Sequence, residues 1–407
     1  MTATEDKKMD AQLTNAPIPF LDLVTPHLEL EEELVDVFRS AVKTAGFIGG
    51  PVVEEFENEF AQFCGTRHCI GVGSGTDALR FALIASGIKP GDIAVTVPNT
   101  FIATVEAISQ AGAIPDFVDV LESTCNMDPE KLREYLETRC AADGSGRLMH
   151  REKGRPVRAV VPVHLYGLPA DMDPILDLAG KYNLVVVEDA CQAHGAEYYC
   201  EREKAWKKAG AMGIAGAFSF YPGKNLGACG EAGAVTTNDS AIAQKVRMIR
   251  DHGQAKKYYH DVEGYNGRLD AIQAGILRVK LKYLPGWNER RRQCAAWYDE
   301  RLGRAQGVAT PFADPRTRPV HHLYVIRTDK RDALQKHLAE SGVATGLHYP
   351  VPLHLQNCYR TMDLAAGAFP ATEAAASRIL SLPMGPTLTK SQVERVSNLI
   401  CGFMAEA

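Results

Sequence analysis

The chain has 407 residues, of which 45% are hydrophobic and 23% are charged, and its formal net charge at pH 7 is −5. This length supports a large core and two unequal domains, and the lack of a basic excess argues against nucleic acid or an anionic membrane as a partner. No apolar run reaches the length of a bilayer span.

The N-terminal residues and the cysteines indicate a cytoplasmic protein. Residues 1–16 are polar, lack the apolar stretch of a signal peptide and are predicted to form a disordered tail. The ten cysteines form no C-x-x-C pair, and no Cys/His cluster has zinc spacing. We therefore expect reduced thiols and no metal site.

Short β-like runs alternate with helical stretches in the first part of the chain. The helical stretches include Asp77–Ser86 and Thr104–Ala111. This alternation predicts an α/β fold with a mostly parallel sheet and helices on both of its faces. The predicted strands are His68–Val72, Ile93–Val97, Ile114–Val118, Val157–His164, Leu184–Glu188 and Gly216–Phe220.

Two polar stretches, Ala141–Arg155 and Glu201–Gly210, interrupt this pattern and are predicted to be surface loops or excursions and not sites. From about Arg268 the pattern becomes mainly helical. We therefore predict a large domain of residues 17–267 and a smaller C-terminal α/β domain of residues 268–407. The elements predicted in the smaller domain are the helices Ala271–Lys282, Trp287–Leu302, Arg331–Ser341 and Lys390–Met404 and the strand His322–Arg327.

The first segment with a chemical signal is Gly73–Leu79, where two glycines join a predicted strand to a predicted helix. Free N–H groups and the helix dipole at such a junction suit a phosphate, and the Thr76 hydroxyl adds a donor. The alternative is an ordinary strand-to-helix turn that is capped by Ser or Thr.

The second segment, Val185–Gly195, is an apolar strand that ends in the acidic pair Glu188 and Asp189. Ligands of open α/β sheets bind at this end of the strands. A carboxylate there can hold the protonated ring nitrogen that makes pyridoxal phosphate (PLP) an electron sink, or it can cap a helix.

The third segment, Phe218–Gly227, is a short apolar strand followed by a Pro-Gly turn and Lys224. Most lysines are only solvated charges. A lysine directly after a buried strand is instead placed to be held in a site, where partial burial and a nearby cation lower its pKa.

Glu188–Gly195 and Ser219–Gly227 resemble the two signatures of the DegT/DnrJ/EryC1/StrS family of PLP-dependent sugar aminotransferases. The resemblance extends over nearly the whole chain after the tail. It implies the aspartate-aminotransferase fold, PLP fold type I, with a large domain and a smaller C-terminal α/β domain. Further motifs in the expected order are Pro19–Leu23, Gly73–Leu79, Pro98–Thr104, Pro162–Gly167, Gly264–Asp270 and His348–Gln356.

The resemblance also implies roles for individual residues. Lys224 matches the lysine that binds PLP covalently, and Asp189 matches the carboxylate that pairs with the pyridinium nitrogen. Gln192 matches a contact to the ring hydroxyl, and Phe101 matches the aromatic side chain that stacks on the ring. The matched phosphate contacts are Gly75, Thr76, Ser219 and, donated by the neighbouring subunit, Asn266.

Some positions within the motifs are assigned no step or depart from the common pattern. His164 and His194 are interpreted as scaffold residues, because a histidine at a strand end is more often hydrogen-bonded structure. Many relatives carry Ser or Thr where this chain has Gly223, and Ala where it has Cys191. The sugar 3-dehydrases of the family carry His at position 224, whereas this chain has the lysine that amination requires.

The implied reaction is a transamination in two half-reactions. L-glutamate gives its amino group to PLP, and a nucleotide-linked keto-sugar then receives it. Lys224 moves the proton as general base and acid, while Asp189 keeps the ring cationic. The segment Leu347–Gln356, together with Tyr221–Gly223, looks more like relatives that aminate C3 of the sugar than those that aminate C4. Candidate substrate contacts are Tyr349, His354 and Arg268.

Three alternatives remain open. The same scaffold can aminate C4 of a sugar or an aminocyclitol precursor. A regulatory, non-enzymatic protein is disfavoured because a helix-turn-helix pattern and a basic face are lacking. A nicotinamide-dependent enzyme is disfavoured because the third glycine of the dinucleotide fingerprint is missing after Gly75.

The glycines of Gly264–Arg268 mark a tightly turned or mobile backbone, which suits an arm that reaches the site of a neighbouring subunit. The alternative is a turn into the next helix, in which Asn266 serves only its turn preference. Together with the resemblance, the segment predicts a homodimer whose active sites are shared between subunits.

Overall fold

A computed structural model describes residues 16–312 and 314–406. The predicted disordered tail, residues 1–16, lies outside the described residues except for Ala16. Within the described ranges, no helix combines the length and the apolar character that crossing a bilayer requires. No group of His, Cys, Asp and Glu side chains in these ranges is arranged to hold a metal ion.

The strands divide between one large sheet and several small ones. The large sheet has seven strands in the order β1-β11-β10-β7-β6-β2-β3. In chain order the strands are β1 (His68–Val72), β2 (Ile93–Thr96), β3 (Ile114–Phe117), β4 (Cys140–Ala142), β5 (Leu148–His150), β6 (Val157–Val160), β7 (Val185–Asp189), β8 (Glu197–Cys200), β9 (Ala205–Lys208), β10 (Ala215–Ser219), β11 (Gly233–Thr237), β12 (Gln254–Lys256), β13 (Tyr259–His260), β14 (Thr317–Arg318), β15 (Tyr324–Arg327) and β16 (Ile379–Leu382).

The large sheet confirms the predicted mostly parallel arrangement. Neighbouring strands pair in parallel except at β11, which is antiparallel to both β1 and β10. All six strands that the sequence predicts lie in this sheet, with their ends shifted by a few residues. Most of their residues are buried, and burial on both faces explains why they read as apolar runs instead of alternating patterns.

The helices cover the large sheet and surround a small one near the C-terminus. In chain order they are α1 (Val24–Glu29), α2 (Glu31–Thr44), α3 (Pro51–Cys64), α4 (Gly75–Ala85), α5 (Ala103–Gln110), α6 (Pro129–Glu134), α7 (Met172–Lys181), α8 (Ser240–Arg250), α9 (Ala271–Leu281), α10 (Leu284–Leu302), α11 (Arg331–Glu340), α12 (Pro370–Arg378) and α13 (Lys390–Glu406).

Two cores lie on opposite faces of the large sheet. Ala217 of β10 belongs to the core that α4 and α8 form, whereas its neighbour Phe218 belongs to the core of α3 and α9. Successive strand residues point to opposite faces, so the two cores sandwich the sheet. In the second core, the rings of Phe56 and Phe60 meet Phe218 and Phe220.

A smaller core surrounds the antiparallel pair β15–β16 near the C-terminus. Helices α10, α11 and α13 contribute Tyr298, Leu334 and Ile400 to it. Helix α9 packs instead with α3 on the large sheet. The predicted domain boundary between residues 267 and 268 stays a prediction, and the packing of α9 favours a boundary further along the chain.

Of the two alternatives predicted for the polar stretches, surface loops or excursions, the structure shows excursions, because both stretches contain strands. In the first stretch, β4 and β5 form an antiparallel hairpin around Asp143. In the second, β9 pairs with β8, and Trp206 packs on Tyr199 with a ring separation of 5.5 Å. The lysines beside Trp206 make this stretch polar, so a prediction based on polarity misses the strand.

Candidate active site

The predicted cofactor-binding motifs meet at one edge of the large sheet. Strands β1, β2, β6, β7 and β10 all run in the same direction, so their carboxyl ends lie together. The segments after these ends contain Gly75, Phe101, Tyr166, Gln192 and Lys224. This is the edge at which open α/β sheets bind their ligands.

The two acidic residues at the end of β7 have different surroundings. The buried Glu188 carboxylate accepts hydrogen bonds from the backbone N–H groups of Gly210, Met212 and Gly213 at 2.8, 2.7 and 2.6 Å. Asp189 accepts the Thr104 hydroxyl at 2.7 Å. Glu188 therefore has a structural role, and Asp189 is the carboxylate that lies near Lys224.

His164 is part of the scaffold below this edge. Its Nδ1 accepts the N–H of Ala170 at 3.0 Å, so the proton of the neutral ring lies on Nε2. Nε2 then donates to the Glu188 carboxylate at 2.9 Å. These bonds use both ring nitrogens, which leaves His164 no atom for the reaction.

Lys224 lies in a tight turn after β10, where its backbone N–H donates to the carbonyl of Tyr221 at 2.9 Å. Burial lowers the pKa of its ammonium group, and the nearby Cys191 and Asp189 oppose that shift. A lower pKa leaves more of the neutral amine at a given pH. The neutral amine is the form that attacks a carbonyl or accepts a proton.

Three histidines surround Lys224 and are kept neutral. Burial, with a contribution from the Lys224 charge, lowers the pKa of His194 to about 3 and that of His348 to about 4. The same causes lower the pKa of His322. His322 and His348 are absent from the predicted site residues. The motif His348–Gln356 pointed to His348, but no feature of the sequence places His322 beside Lys224.

The start of α4 and the end of β10 are in close contact. A Cβ atom at Gly75 would lie 2.5 Å from the Cβ of Ser219 and 3.1 Å from the Sγ of Cys191, so only glycine fits. The Ser74 hydroxyl caps the helix by accepting the N–H of Asp77 at 3.1 Å. The N–H groups of Gly75 and Thr76 therefore remain for an anion at the helix N-terminus.

Gln192 connects the sheet edge to the C-terminal part of the chain. Its Nε2 donates to the Tyr349 hydroxyl at 3.1 Å, and its Oε1 accepts the N–H of Tyr166 at 2.6 Å. The Tyr349 ring lies 5.6 Å from the ring of Phe101, which is 52% exposed. Tyr166 is a further residue that the predicted site lacks, although it lies in the motif Pro162–Gly167.

His354 lies in a buried structural position. Its Nε2 is 3.0 Å from the Glu373 carboxylate, and its ring packs edge-on against Phe369 at 4.8 Å. These contacts do not support the predicted contact with the sugar, which stays a prediction.

Asn266 and Arg268 lie beside the predicted phosphate-binding turn of their own chain. The Gly267 carbonyl accepts the N–H of Gly73 at 2.9 Å. Arg268 donates to Asn266 at 2.6 Å and pairs with Asp251 at 2.5 Å. The predicted contact of Asn266 with a neighbour's cofactor stays a prediction.

Comparison with known proteins places this site in a family. Residues 28–401 match the model of the DegT/DnrJ/EryC1/StrS aminotransferase family. The chain is 41% identical to the "Erythromycin biosynthesis sensory transduction protein EryC1" of Saccharopolyspora erythraea, over 93% of this chain and 97% of that protein. It is 40% identical to the dTDP-3-amino-3,4,6-trideoxy-alpha-D-glucose transaminase of Streptomyces venezuelae, over 96% of this chain and 97% of that protein.

A solved structure gives the same result. The crystal structure of S. venezuelae DesV in complex with a ketimine intermediate is similar with a TM-score of 0.88 and 40% identity, over 96% of this chain and 99% of that chain. The chain therefore belongs to the DegT/DnrJ/EryC1/StrS family and is an aminotransferase.

Proposed function

We propose that this enzyme has PLP fold type I, binds PLP covalently at Lys224 and transfers the amino group of L-glutamate to C3 of a nucleotide-linked keto-sugar. The observation that carries the proposal is the meeting of Lys224, Asp189 and the N-terminus of α4 at one sheet edge. The Streptomyces venezuelae relative is named for a 3-amino sugar, which supports the choice of C3.

The side chains at this edge fit PLP, which aminotransferases of this family use. A phosphate would receive the N–H groups of Gly75 and Thr76. It would also receive the hydroxyl of Ser219, whose oxygen accepts a backbone N–H at 3.3 Å and whose proton is free to donate. A buried carboxylate for the ring nitrogen is present in Asp189, and an amine with a lowered pKa is present in Lys224.

Lys224 and Asp189 have separate roles in the proposed reaction. The Lys224 amine would take the proton from the carbon that bears the amino group, as general base, and deliver it to the carbon on the other side of that nitrogen, as general acid. The Asp189 carboxylate accepts the Thr104 hydroxyl at 2.7 Å and the N–H of Cys191 at 3.2 Å, and it would pair with the protonated ring nitrogen. When bound, PLP supplies the electron sink for this proton removal.

The position of amination is tested with a panel of 3-keto and 4-keto nucleotide sugars and an inosose, with L-glutamate as donor. We expect the 3-keto sugars to react faster by more than about tenfold, because a shaped pocket discriminates on this scale. Mass and proton-coupling analysis of the product locates the new amine. An amine at C4, or preference for the inosose, would rule out C3 sugar amination and leave the aminotransferase assignment intact.

We further propose that the working unit is a homodimer. Helices α1 and α2 and the connection to α3 expose large apolar side chains, and Phe38 and Val42, both 55% exposed, lie one helical turn apart. Exposed apolar patches of this kind mark interfaces, and a two-fold axis would bury the same patch of both copies. The other exposed side chains of this surface are Val24, Leu28, Phe47 and Ile48.

The shared site is tested by mixing two inactive variants, Lys224→Ala and Asn266→Asp. The added charge of Asn266→Asp is expected to repel a phosphate. If Asn266 serves the neighbour's site, a mixed dimer has one site with both lesions and one with neither. Activity should then recover to about a quarter of the wild-type value for random pairing. No recovery, after differently tagged subunits are shown to exchange, would mean that Asn266 serves its own subunit.

A further inference from the structure

Two adjoining cavities lie between residues 121–127, residues 310–312 and 314–323, and strand β15. Their volumes are about 40 and 200 Å³, and they share the lining residues Ser123, Thr124, Leu168 and Phe312. A cavity volume of roughly 15 Å³ is enough to hold a water molecule, and both cavities exceed it. The lining contains none of the residues that we assign to PLP.

Arg327 is the cation of the smaller cavity. Its guanidinium group forms no ion pair with an acidic side chain of residues 16–312 or 314–406. Its neighbour is the Cys125 thiol; burial raises the pKa of this thiol and Arg327 opposes the rise. A protonated thiol does not neutralise an arginine, which stays charged at any ordinary pH. Among the described residues, the smaller cavity therefore has a cation that is not paired with an acidic side chain.

The lining indicates which anion fits. A planar carboxylate matches the fork of an arginine with two parallel hydrogen bonds. Hydroxyl groups of Ser123, Thr124 and Thr310 add donors, and the remaining wall is largely apolar. The apolar side chains of the smaller cavity are Tyr166, Leu168, Pro311, Phe312, Pro319, Leu323, Val325 and Ile379.

The larger cavity argues against a ligand with two negative charges. Asp171 and Asp314 line it, and both pair with Arg316, at 3.2 and 2.9 Å. Two carboxylates against one guanidinium leave an excess of negative charge, which would repel a second anionic group. We propose that the two cavities form a binding site for a monocarboxylate with an apolar body, whose carboxylate pairs with Arg327.

Tyr166 gives this site a connection to the active site. Tyr166 lines the smaller cavity, its N–H donates to Gln192 at 2.6 Å and its hydroxyl donates to the carbonyl of His348. A ligand that shifts Tyr166 shifts both of these partners. The bound carboxylate is therefore a modulator of the transamination rate.

The binding test uses the PLP-loaded enzyme, benzoate as the probe and isothermal titration calorimetry. Benzamide, the uncharged analogue, and inorganic phosphate are the comparison ligands. We expect saturable binding of benzoate alone and a loss of more than about tenfold in affinity for Arg327→Met. The control Arg304→Met makes the same change at an exposed arginine and should bind like the wild type. Arg327→Lys and Thr310→Val should weaken binding as well, and they replace Arg327→Met if it fails to fold.

Three results would overturn the site: no saturable binding up to roughly 10 mM benzoate, equal binding of benzamide or phosphate, or unchanged binding by all three cavity variants. The coupling has its own test. Saturating benzoate should change the rate of the glutamate half-reaction in the wild type and not in Arg327→Met. An equal effect in both would place benzoate in the active site, and no effect in either would remove the modulating role.

Discussion

Replacing Lys224 by alanine is expected to abolish transamination, with a loss of at least about 10²-fold in kcat/KM, because proton transfer by a positioned group alone contributes about 10²–10⁴-fold. The substitution also removes the only covalent anchor that we assign to the cofactor. Steady-state assays with L-glutamate and a keto-sugar measure the loss. The visible absorption band of the purified protein, and its response to borohydride, report the covalent link separately.

The matched control for this experiment is Lys336→Ala, because the Lys336 side chain is 79% exposed and lies on helix α11. It should leave both the absorption band and the rate unchanged. Both variants should fold, since the turn at Lys224 is closed by the backbone bond to Tyr221 and not by the side chain. Thermal unfolding checks this point. Normal turnover by folded Lys224→Ala would refute the assignment.

The strands of the large sheet could be predicted because burial on both faces makes their sequences largely apolar. The predicted strands Val157–His164 and Leu184–Glu188 are largely apolar and end at polar residues, and the structure pairs them as the parallel neighbours β6 and β7. Strand β9 has no such apolar run. Two consecutive lysines follow Trp206 in this strand, and Arg318, 112 positions after Trp206, packs on the indole ring with its guanidinium 3.9 Å away.

The partners of the site residues could not be predicted, because they are distant in sequence. Thr104 and Asp189 are 85 residues apart, and Tyr166 and His348 are 182 residues apart. The sequence placed Glu188 and Asp189 at the same strand end, and the resemblance singled out Asp189. The alternation of the strand gives the physical reason, because successive side chains point to opposite faces of the sheet. For His354, the motif suggested a substrate contact that the structure does not support. Its side chain contacts Glu373 and Phe369 instead.

The Asp189→Asn variant separates the charge of this residue from its shape. An amide keeps the size of the carboxylate and one acceptor oxygen, so the N–H of Cys191 can still be satisfied and PLP should stay bound. The Thr104 hydroxyl, which now donates to Asp189 at 2.7 Å, can turn to accept from the new amide. What is lost is the negative charge that a pyridinium nitrogen requires.

We therefore expect Asp189→Asn to lose more than about tenfold in kcat, or more than about 1.4 kcal/mol of barrier stabilisation, without losing the cofactor. The control is Glu188→Gln, one position earlier on β7. Its carboxylate binds three backbone N–H groups, so an amide there should destabilise the fold by about 1–3 kcal/mol while the folded enzyme keeps its rate. Rates corrected for bound PLP, together with unfolding midpoints, distinguish the two effects. A rate loss of less than about tenfold in Asp189→Asn would mean that Asp189 does not pair with the ring nitrogen.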